Sequence, residues 1–563
     1  MRLLAVQQIA IFNYSTPTYM RVLLTIVLVS FSSVGFCQTN ESVRSILSAD
    51  TIALLDKLMS RYADANPGSQ LAISRNGQVI YSSARGMADL EHNVPLTKTS
   101  KIEAGSVSKQ FTAAAILLLE QQGKLSLNDD VHKYIPELPG YGSTITLRHL
   151  MQHKSGLKDW GSIAGISGWP RGTKSYTNND ALEIIVRQKT LNYKPGDEYI
   201  YSNTGYTLLT HIVQRVSGMS HAEFSKKFLF EPAGMKNTEW RDEFRRVVAN
   251  RANAYSKVGG KYVTNMPLED TYGHGGLLTT AEDLLAWNDY YVKGKLGGSE
   301  LFKNQTATSA FNNGKMHGYA AGLFTDSVRG WAAIAHSGAT AAYRANLEYF
   351  PQLGLSIAWL SNTSQPDLAD VPGAVRTIFM KNLLRPGTPA SKTINIDVKN
   401  AAPYMGAYRE EITGVGQKVF VNDTAVMTEY GERVTPLLST VPAGSKIVFS
   451  TPAKTMKIIT ASADTTTLIK VDTARVAVKF LNEYAGVYSS DETESKMTVL
   501  VKDGKLFSRL RSSDTPLIPV YKDGFAFTGG DLFFTRDKLG KVSKMFISVS
   551  RARKVEFSKV NAK

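Results

Sequence analysis

Two kinds of hydrophobic pattern divide the chain. Residues 51–62 repeat apolar positions at helical spacing, with Ile52, Leu55, Met59 and Tyr62 on one stripe and Asp50 placed to cap the first turn. That spacing predicts an amphipathic helix packed on a sheet. Strand-like runs follow in QLAISRNGQVIY, broken at Asn76-Gly77, a dipeptide suited to a tight type I′ hairpin because both residues tolerate positive φ. A second group of strands spans residues 336–361 and folds back at Pro351-Gln352-Leu353-Gly354, after which a helical stretch runs to Leu384. Strands and helices at both ends of a mainly helical middle predict an α+β domain over residues 38–384.

Residues 385–392, RPGTPASK, carry two prolines and a glycine and read as a linker. Beyond them short alternating runs replace helical periodicity, and the runs repeat. Tyr404-Met405-Gly406-Ala407-Tyr408 returns as Tyr484-Ala485-Gly486-Val487-Tyr488, and Thr435-Pro436-Leu437-Leu438 as Thr515-Pro516-Leu517-Ile518. At the same offset Val421-Asn422-Asp423-Thr424 meets Val501-Lys502-Asp503-Gly504. The unit is too long for a propeller blade or a solenoid repeat. Two similar small antiparallel barrels are expected, residues 393–472 and 473–563, each with room for about eight short strands. One larger sandwich with accidental similarity is the competing arrangement.

At the N-terminus, Met20-Arg21 leads into the apolar run Val22 to Val29, then small residues, with Gln38 directly after Cys37. This is the layout of a secretory signal peptide over residues 1–37. The echo of Met1-Arg2-Leu3-Leu4 in Met20-Arg21-Val22-Leu23-Leu24 places the translation start at Met20. The run is too short for an ordinary membrane helix, so no stable membrane span is expected. A lipidated Cys37 is the alternative, against which Phe36 is bulky where a lipobox takes a small residue. Cys37 is the one cysteine of the sequence, so cleavage after it leaves no disulfide, cysteine metal site or thiol nucleophile. The expected location is exported, periplasmic or secreted. A formal charge of +16 invites a nucleic-acid partner, but basic and acidic residues are interleaved and no nucleic-acid module is present, so none is expected. The clusters Arg241/Arg245/Arg246/Arg251 and Arg551/Arg553/Lys554 read as solvated faces.

The candidate chemistry lies in GSVSKQFTAAA, residues 105–115. Phe111, Ala114, Ala115, Leu118 and Leu119 predict a largely buried helix that Gly123 ends. On it Ser106 and Lys109 are i and i+3 and share a face, whereas Ser108 and Lys109 point apart. A serine hydroxyl needs a base to become a nucleophile, and a lysine serves only where burial or nearby positive charge disfavours its ammonium form. The helix N-terminus favours an oxyanion at the same place. S-x-x-K alone is a common spacing. Ordered company makes it specific: Tyr201-Ser202-Asn203 between a Pro195-Gly196 turn and a helical run, then His336-Ser337-Gly338 on a predicted strand.

These three motifs, in this order, resemble the penicillin-recognising serine hydrolases, especially the class C β-lactamase, DD-peptidase, esterase and D-aminopeptidase branch. Gly86-Met87-Ala88-Asp89-Leu90, His153-Lys154-Ser155-Gly156-Leu157 and the stretch from Gly275 to Leu284 match further landmarks, and the resemblance covers roughly residues 51–384. It implies a β-lactamase/transpeptidase-like catalytic domain, an antiparallel sheet flanked by helices with a helical subdomain, followed by the two β-barrel-like domains. Residue by residue it implies Ser106 as the acyl-enzyme nucleophile and Lys109 as support for its deprotonation. Tyr201 becomes a proton shuttle to the leaving group, its pKa lowered by Lys109; Asn203 holds the substrate amide; His336 lines the opposite wall. The oxyanion hole comes from the backbone N–H groups of Ser106 and of Ala339, which follows Gly338.

The implied function is an exported serine hydrolase acting through a Ser106 acyl-enzyme on amide or ester bonds of small substrates, with no metal and no cofactor. D-amino-acid peptides, cell-wall-derived peptides among them, esters and β-lactams are the candidate substrates. His336 stands where many β-lactamases carry a lysine that binds the substrate carboxylate, which favours an esterase or peptidase. Similar H-x-G motifs and two trailing β-barrels occur in the D-aminopeptidases of the family. The alternative is a penicillin-binding sensor or structural module that acylates without useful turnover. The barrels are expected to cap the cleft and limit it to short substrates, with stabilisation or tethering as the alternative.

Two further patterns carry less. His149 and His153 stand at a zinc-like i, i+4 spacing but lack the glutamate of H-E-x-x-H and a third ligand, so they are expected to pack a helix. Gly273 to Gly276 lacks the Lys-Ser/Thr of a phosphate loop, and Thr280 with Asp283 predicts a capping box instead.

Overall fold

The computed structural model describes residues 47–560 apart from 63–64, 366–369, 381–391, 412, 423, 431–432, 442–443, 461–464 and 474–477. The expected signal peptide of residues 1–37, the expected start at Met20 and the expected linker up to residue 391 lie outside the described residues. Helix α1 (Ala49–Met59) opens with Ser48 rather than Asp50 as its cap: the Ser48 hydroxyl accepts from the Thr51 N–H at 3.2 Å. Asp50 falls inside the first turn, where its charge faces the positive end of the helix dipole.

Strands β1 (Ser69–Arg75) and β2 (Gln78–Arg85) form the expected hairpin, with Asn76 at φ 51° and Gly77 at φ 83°. The second group of strands comprises β3 (Phe324–Val328), β4 (Trp331–Thr340), β5 (Tyr343–Phe350) and β6 (Leu355–Ser361). All pair antiparallel in one sheet of order β3-β4-β5-β6-β1-β2. Period-two alternation in β1 sends Leu71 and Ile73 to a layer shared with Leu55 and Met59 of α1. Ala72 faces the opposite layer, with Phe111 and Trp287. Every residue of β6 is buried because both faces of the sheet are covered.

The opposite layer is helical. Its main members are α2 (Lys109–Gln121), α3 (Trp160–Ile166), α4 (Asn203–Ser217) and α5 (Ala281–Val292). Thr280 caps α5 through the Asp283 N–H at 3.2 Å, but the Asp283 carboxylate accepts from Asn237 N–H at 2.7 Å and the Thr238 hydroxyl at 2.8 Å. Half of the expected capping box therefore forms, and the other half ties the helix to a neighbouring segment.

The arginine clusters are not uniformly solvated. Arg241 is 1% exposed with its Nε 2.8 Å from Glu103 Oε2, since a buried carboxylate needs a counter-charge. Arg553 pairs with Glu198 at 3.0 Å, and Arg551 enters a cleft described below. Arg245 and Lys554 do stay exposed.

Eight strands from Thr393–Ile394 to Thr465–Val471 form one open sheet, and eight from Gly486–Ser490 to Ala552–Lys559 close into a barrel. The repeat survives in detail: the Tyr408 hydroxyl donates to Tyr404 C=O and the Tyr488 hydroxyl to Tyr484 C=O, both at 2.7 Å. The copies part after Thr435-Pro436. There the chain enters a 3₁₀ turn, Leu437–Thr440, in which the Ser439 and Thr440 hydroxyls bond the Pro436 and Leu437 carbonyls at 2.6 and 2.7 Å. The matching Thr515-Pro516 instead lies within the strand Ser513–Tyr521, whose later residues pair with Gly524–Phe527. Local side-chain bonds displace the strand that closure requires. The expected pair of barrels is thus one half-barrel and one closed barrel.

The closed barrel shares a continuous apolar core with the catalytic-type domain. Their contact is pinned by Lys158 and Glu492, 2.7 Å apart and 0% and 7% exposed. Glu492 also accepts from the Lys189 N–H at 3.3 Å, and its carbonyl accepts from Gln188 Nε2 at 2.9 Å. Glu492→Ala leaves Lys158 buried without its partner, with an expected cost of about 3–5 kcal/mol. A lowered midpoint of chemical denaturation in the full chain checks it; an unchanged midpoint contradicts it.

Candidate active site

The serine comes first. Residues Gly105–Ser108 form a 3₁₀ turn that runs directly into α2. With three residues per 3₁₀ turn, i and i+3 eclipse, so Ser106 stands over Lys109 more directly than α-helical spacing alone would place it. Lys109 Nζ lies 3.2 Å from Ser106 Oγ. The Ser108 hydroxyl points away and accepts from the Leu277 N–H at 3.2 Å. Of the two serines, only Ser106 meets the lysine.

Lys109 is wholly buried. Its Nζ also donates to Asn203 Oδ1 at 2.9 Å and to the His274 carbonyl at 2.6 Å. No carboxylate is within ion-pair distance of it among the described residues. Burial drives its pKa well below the ordinary value, helped by the Arg171 and Arg551 guanidinium groups. A neutral amine has two N–H groups and one lone pair. Asn203 Oδ1 and the His274 carbonyl can only accept, so they take both hydrogens and leave the lone pair to the Ser106 O–H. This arrangement can extract a serine proton.

Asn203 is the first residue of α4, which Ser202 caps by accepting from the Thr204 N–H at 3.2 Å. Its own N–H donates to Asp159 Oδ2 at 2.7 Å, which fixes the side chain against Lys109. Tyr201 precedes the cap. Its ring centroid lies 4.8 Å from Lys109 Nζ and 4.9 Å from the Arg551 guanidinium carbon, and its hydroxyl is buried beside the Ser106 hydroxyl. The resemblance implied a lowered Tyr201 pKa. Burial instead raises it, against a partial offset from the Ser106 hydroxyl and Arg551, because removing a phenolate from water costs more than these neighbours return.

His336 donates from Nδ1 to the Ser337 carbonyl at 2.6 Å and meets the Tyr319 hydroxyl through Nε2 at 3.0 Å. Both ring nitrogens are engaged, and burial lowers its pKa to about 3. It is a neutral wall. Strand β3 pairs with β4 only as far as Ala335, so the following residues of β4 have the 3₁₀ turn on their free side. A Cβ on Gly338 would fall 2.0 Å from the Ala104 carbonyl oxygen, and one on Gly105 (φ 50°) would fall 2.6 Å from Ala339 N. Glycine at both positions brings strand and turn backbone to backbone, which sets the Ser106 and Ala339 amides on one rim.

Three features of the site escaped the motifs. The stretch read as structural, Gly273 to Gly276, holds the carbonyl that anchors Lys109. His153 leaves helical register at φ 57°, accepts from the Ser202 N–H at 3.2 Å and packs 4.2 Å from the Tyr201 ring, while the His149 ring closes a capping box with Thr146. Arg551 belongs to the closed barrel, at the turn between β7 (Val542–Val549) and β8 (Ala552–Lys559), and lines a cleft of about 610 Å³ together with Ser106, Tyr201 and His336.

A family model described as Beta-lactamase matches residues 55–377. Penicillin-binding protein 4* of Bacillus subtilis is 29% identical over 366 residues, covering 61% of this chain and 79% of that protein. A D-aminopeptidase of Brucella anthropi is 23% identical over 531 residues, covering 88% of this chain and 95% of that protein. In fold, the octameric penicillin-binding protein homologue from Pyrococcus abyssi matches with TM-score 0.51 at 20% identity, covering 90% of this chain and 99% of that one.

The buried amine has a kinetic signature. The rate of Ser106 phosphonylation by an alkyl fluorophosphonate should rise with pH as Lys109 loses its proton and level off well below the ordinary lysine value of 10.5. Lys109→Arg, which stays protonated, should slow it by about 10²–10⁴. A rise centred at the ordinary lysine value contradicts the assignment of a neutral lysine.

Proposed function

The chain belongs to the beta-lactamase family, and from that membership we propose that it is an exported serine hydrolase that cleaves small amides or esters through a Ser106 acyl-enzyme. The observation that carries this reading is the buried Lys109 amine, held by two acceptor-only partners with its Nζ 3.2 Å from Ser106 Oγ.

Lys109 takes the Ser106 proton as Oγ bonds to the acyl carbon. The displaced electron pair collects on the acyl oxygen, where the Ser106 and Ala339 N–H groups are each worth about 10²–10³ in rate. Tyr201, kept protonated by burial, passes its proton to the leaving nitrogen or oxygen as that bond breaks, and Lys109 restores it. Water then enters by the same route in reverse and releases the acid. Asn203, whose Oδ1 is committed to Lys109, offers its amide N–H groups to the substrate. His336 contributes shape, since its ring nitrogens are occupied. D-amino-acid amides and peptides head the substrate list, supported by the D-aminopeptidase that matches through the C-terminal region as well. Export is supported by the pattern of residues 1–37.

Sustained release of p-nitroaniline or p-nitrophenol from D-aminoacyl anilides or short-chain esters is expected, falling to background in Ser106→Ala. Labelling of Ser106 by fluorescent penicillin with no continuing release replaces this reading with the sensor module. Full hydrolysis by Ser106→Ala overturns the nucleophile. For export, N-terminal sequencing of protein recovered outside the cytoplasm should begin at Gln38; an uncleaved N-terminus contradicts it.

A further inference from the structure

We propose that Arg551, delivered by the closed barrel, is the residue that reads an anionic group on the substrate, so that the hydrolase prefers acyl donors whose N-acyl group carries a carboxylate. The proposal rests on the hydrolase reading above and narrows its substrate class.

The argument begins with a charge count. Among the described residues that line the cleft, four are arginines, Arg171, Arg344, Arg376 and Arg551, against one acid, Asp370. Two of the arginines are already neutralised. Arg171 is paired with Glu269, and Arg376 with Glu348. Among the described residues Arg344 donates to the Ala341 and Tyr343 carbonyls, at 2.9 and 2.7 Å. The Arg551 guanidinium forms no ion pair or hydrogen bond with any described residue and lies over the Tyr201 ring, 4.9 Å from its centroid. The cleft wall therefore carries uncompensated positive charge, and its planar fork is free to bind a carboxylate edge-on.

That side chain is also held in place. Its carbonyl accepts from the Asp159 N–H at 3.0 Å and from Asn192 Nδ2 at 3.2 Å. Asn192 Oδ1 in turn accepts from the Arg553 N–H at 2.7 Å, so one side-chain amide clamps the backbone on both sides of Ala552. Arg553 adds an ion pair to Glu198 at 3.0 Å. A guanidinium mounted on a clamped turn and stacked on Tyr201 loses less entropy on binding than a free surface arginine. His336 supplies no charge on the opposite wall. The cation held against Tyr201 comes from the other domain.

Three anilides share one leaving group and differ in charge: N-succinyl-D-alanyl, N-acetyl-D-alanyl and free D-alanyl p-nitroanilide. The wild-type enzyme should favour the succinyl over the acetyl substrate by about 10- to 100-fold in kcat/KM, the range of a hydrogen bond to a charged group, and should disfavour the free amine. Arg551→Met should collapse that ratio towards unity, Arg551→Lys should retain part of it, and Arg551→Glu should invert the order of the anionic and cationic substrates. A ratio unmoved by Arg551→Met, or a wild-type preference for the free amine, overturns the proposal. Calorimetric titration of N-succinyl-D-alanine into Ser106→Ala, with and without Arg551→Met, reads the same discrimination without turnover. Loss of affinity on removing Arg551 upholds the proposal even if no anilide is hydrolysed; equal affinity sinks it even if all three are.

Discussion

An amine buried without a carboxylate is the constraint around which this site is built. Withdrawing an ammonium group from water costs several kcal/mol, and the usual remedy is a paired acid. Here no acid is within ion-pair distance among the described residues, and two guanidinium groups raise the cost further, so the Lys109 pKa is driven well below its ordinary value. The neutral form then dictates its neighbours. Two must accept and one must donate, and the chain supplies an amide oxygen, a backbone carbonyl and a hydroxyl. Each comes from a different segment, so the 3₁₀ turn, the start of α4 and the loop through His274 have to arrive together.

Asp159 links that cluster to the barrel. Its carboxylate accepts from the Asn203 N–H, and its own N–H donates to the Arg551 carbonyl. With the Asn203 contact to Lys109, a contiguous hydrogen-bonded path runs from the barrel turn to the buried amine. The Lys158–Glu492 pair lies next to it in sequence and fixes the same two bodies. Docking of the barrel and ordering of the second motif therefore share residues, which explains why an all-β tail is packed into the core of a hydrolase fold.

Periodicity and turn chemistry made much of this legible. Asn76-Gly77 marked the tight hairpin between two strand-like runs, and the recurring Tyr-x-Gly-x-Tyr marked two related units that share the same tyrosine-to-carbonyl bond. Helical spacing chose Ser106 over Ser108, and the chain sends the Ser108 hydroxyl to Leu277. What stayed hidden depended on contacts distant in sequence. Arg241 and Arg551 look like surface charges in any local window, yet one neutralises Glu103 in the interior and the other borders the cleft. Closure of the first barrel failed on a 3₁₀ turn held by Ser439 and Thr440, residues whose local bonds leave no hydrophobic signature. The direction of the Tyr201 shift depended on how deeply its hydroxyl is buried, which no local window reveals.

The placement of Arg551 also has a meaning in time. A ribosome releases Ser106, Lys109, Tyr201 and His336 long before the turn that carries Arg551, and the barrel closes only when Ala552–Lys559 pairs with both the preceding strand and Gly486–Ser490. A nascent chain can thus own a nucleophile and its base while one wall of the cleft is still missing. Completion of that wall waits on the last barrel strand, so the order of synthesis itself separates making the nucleophile from finishing the site that selects what it attacks.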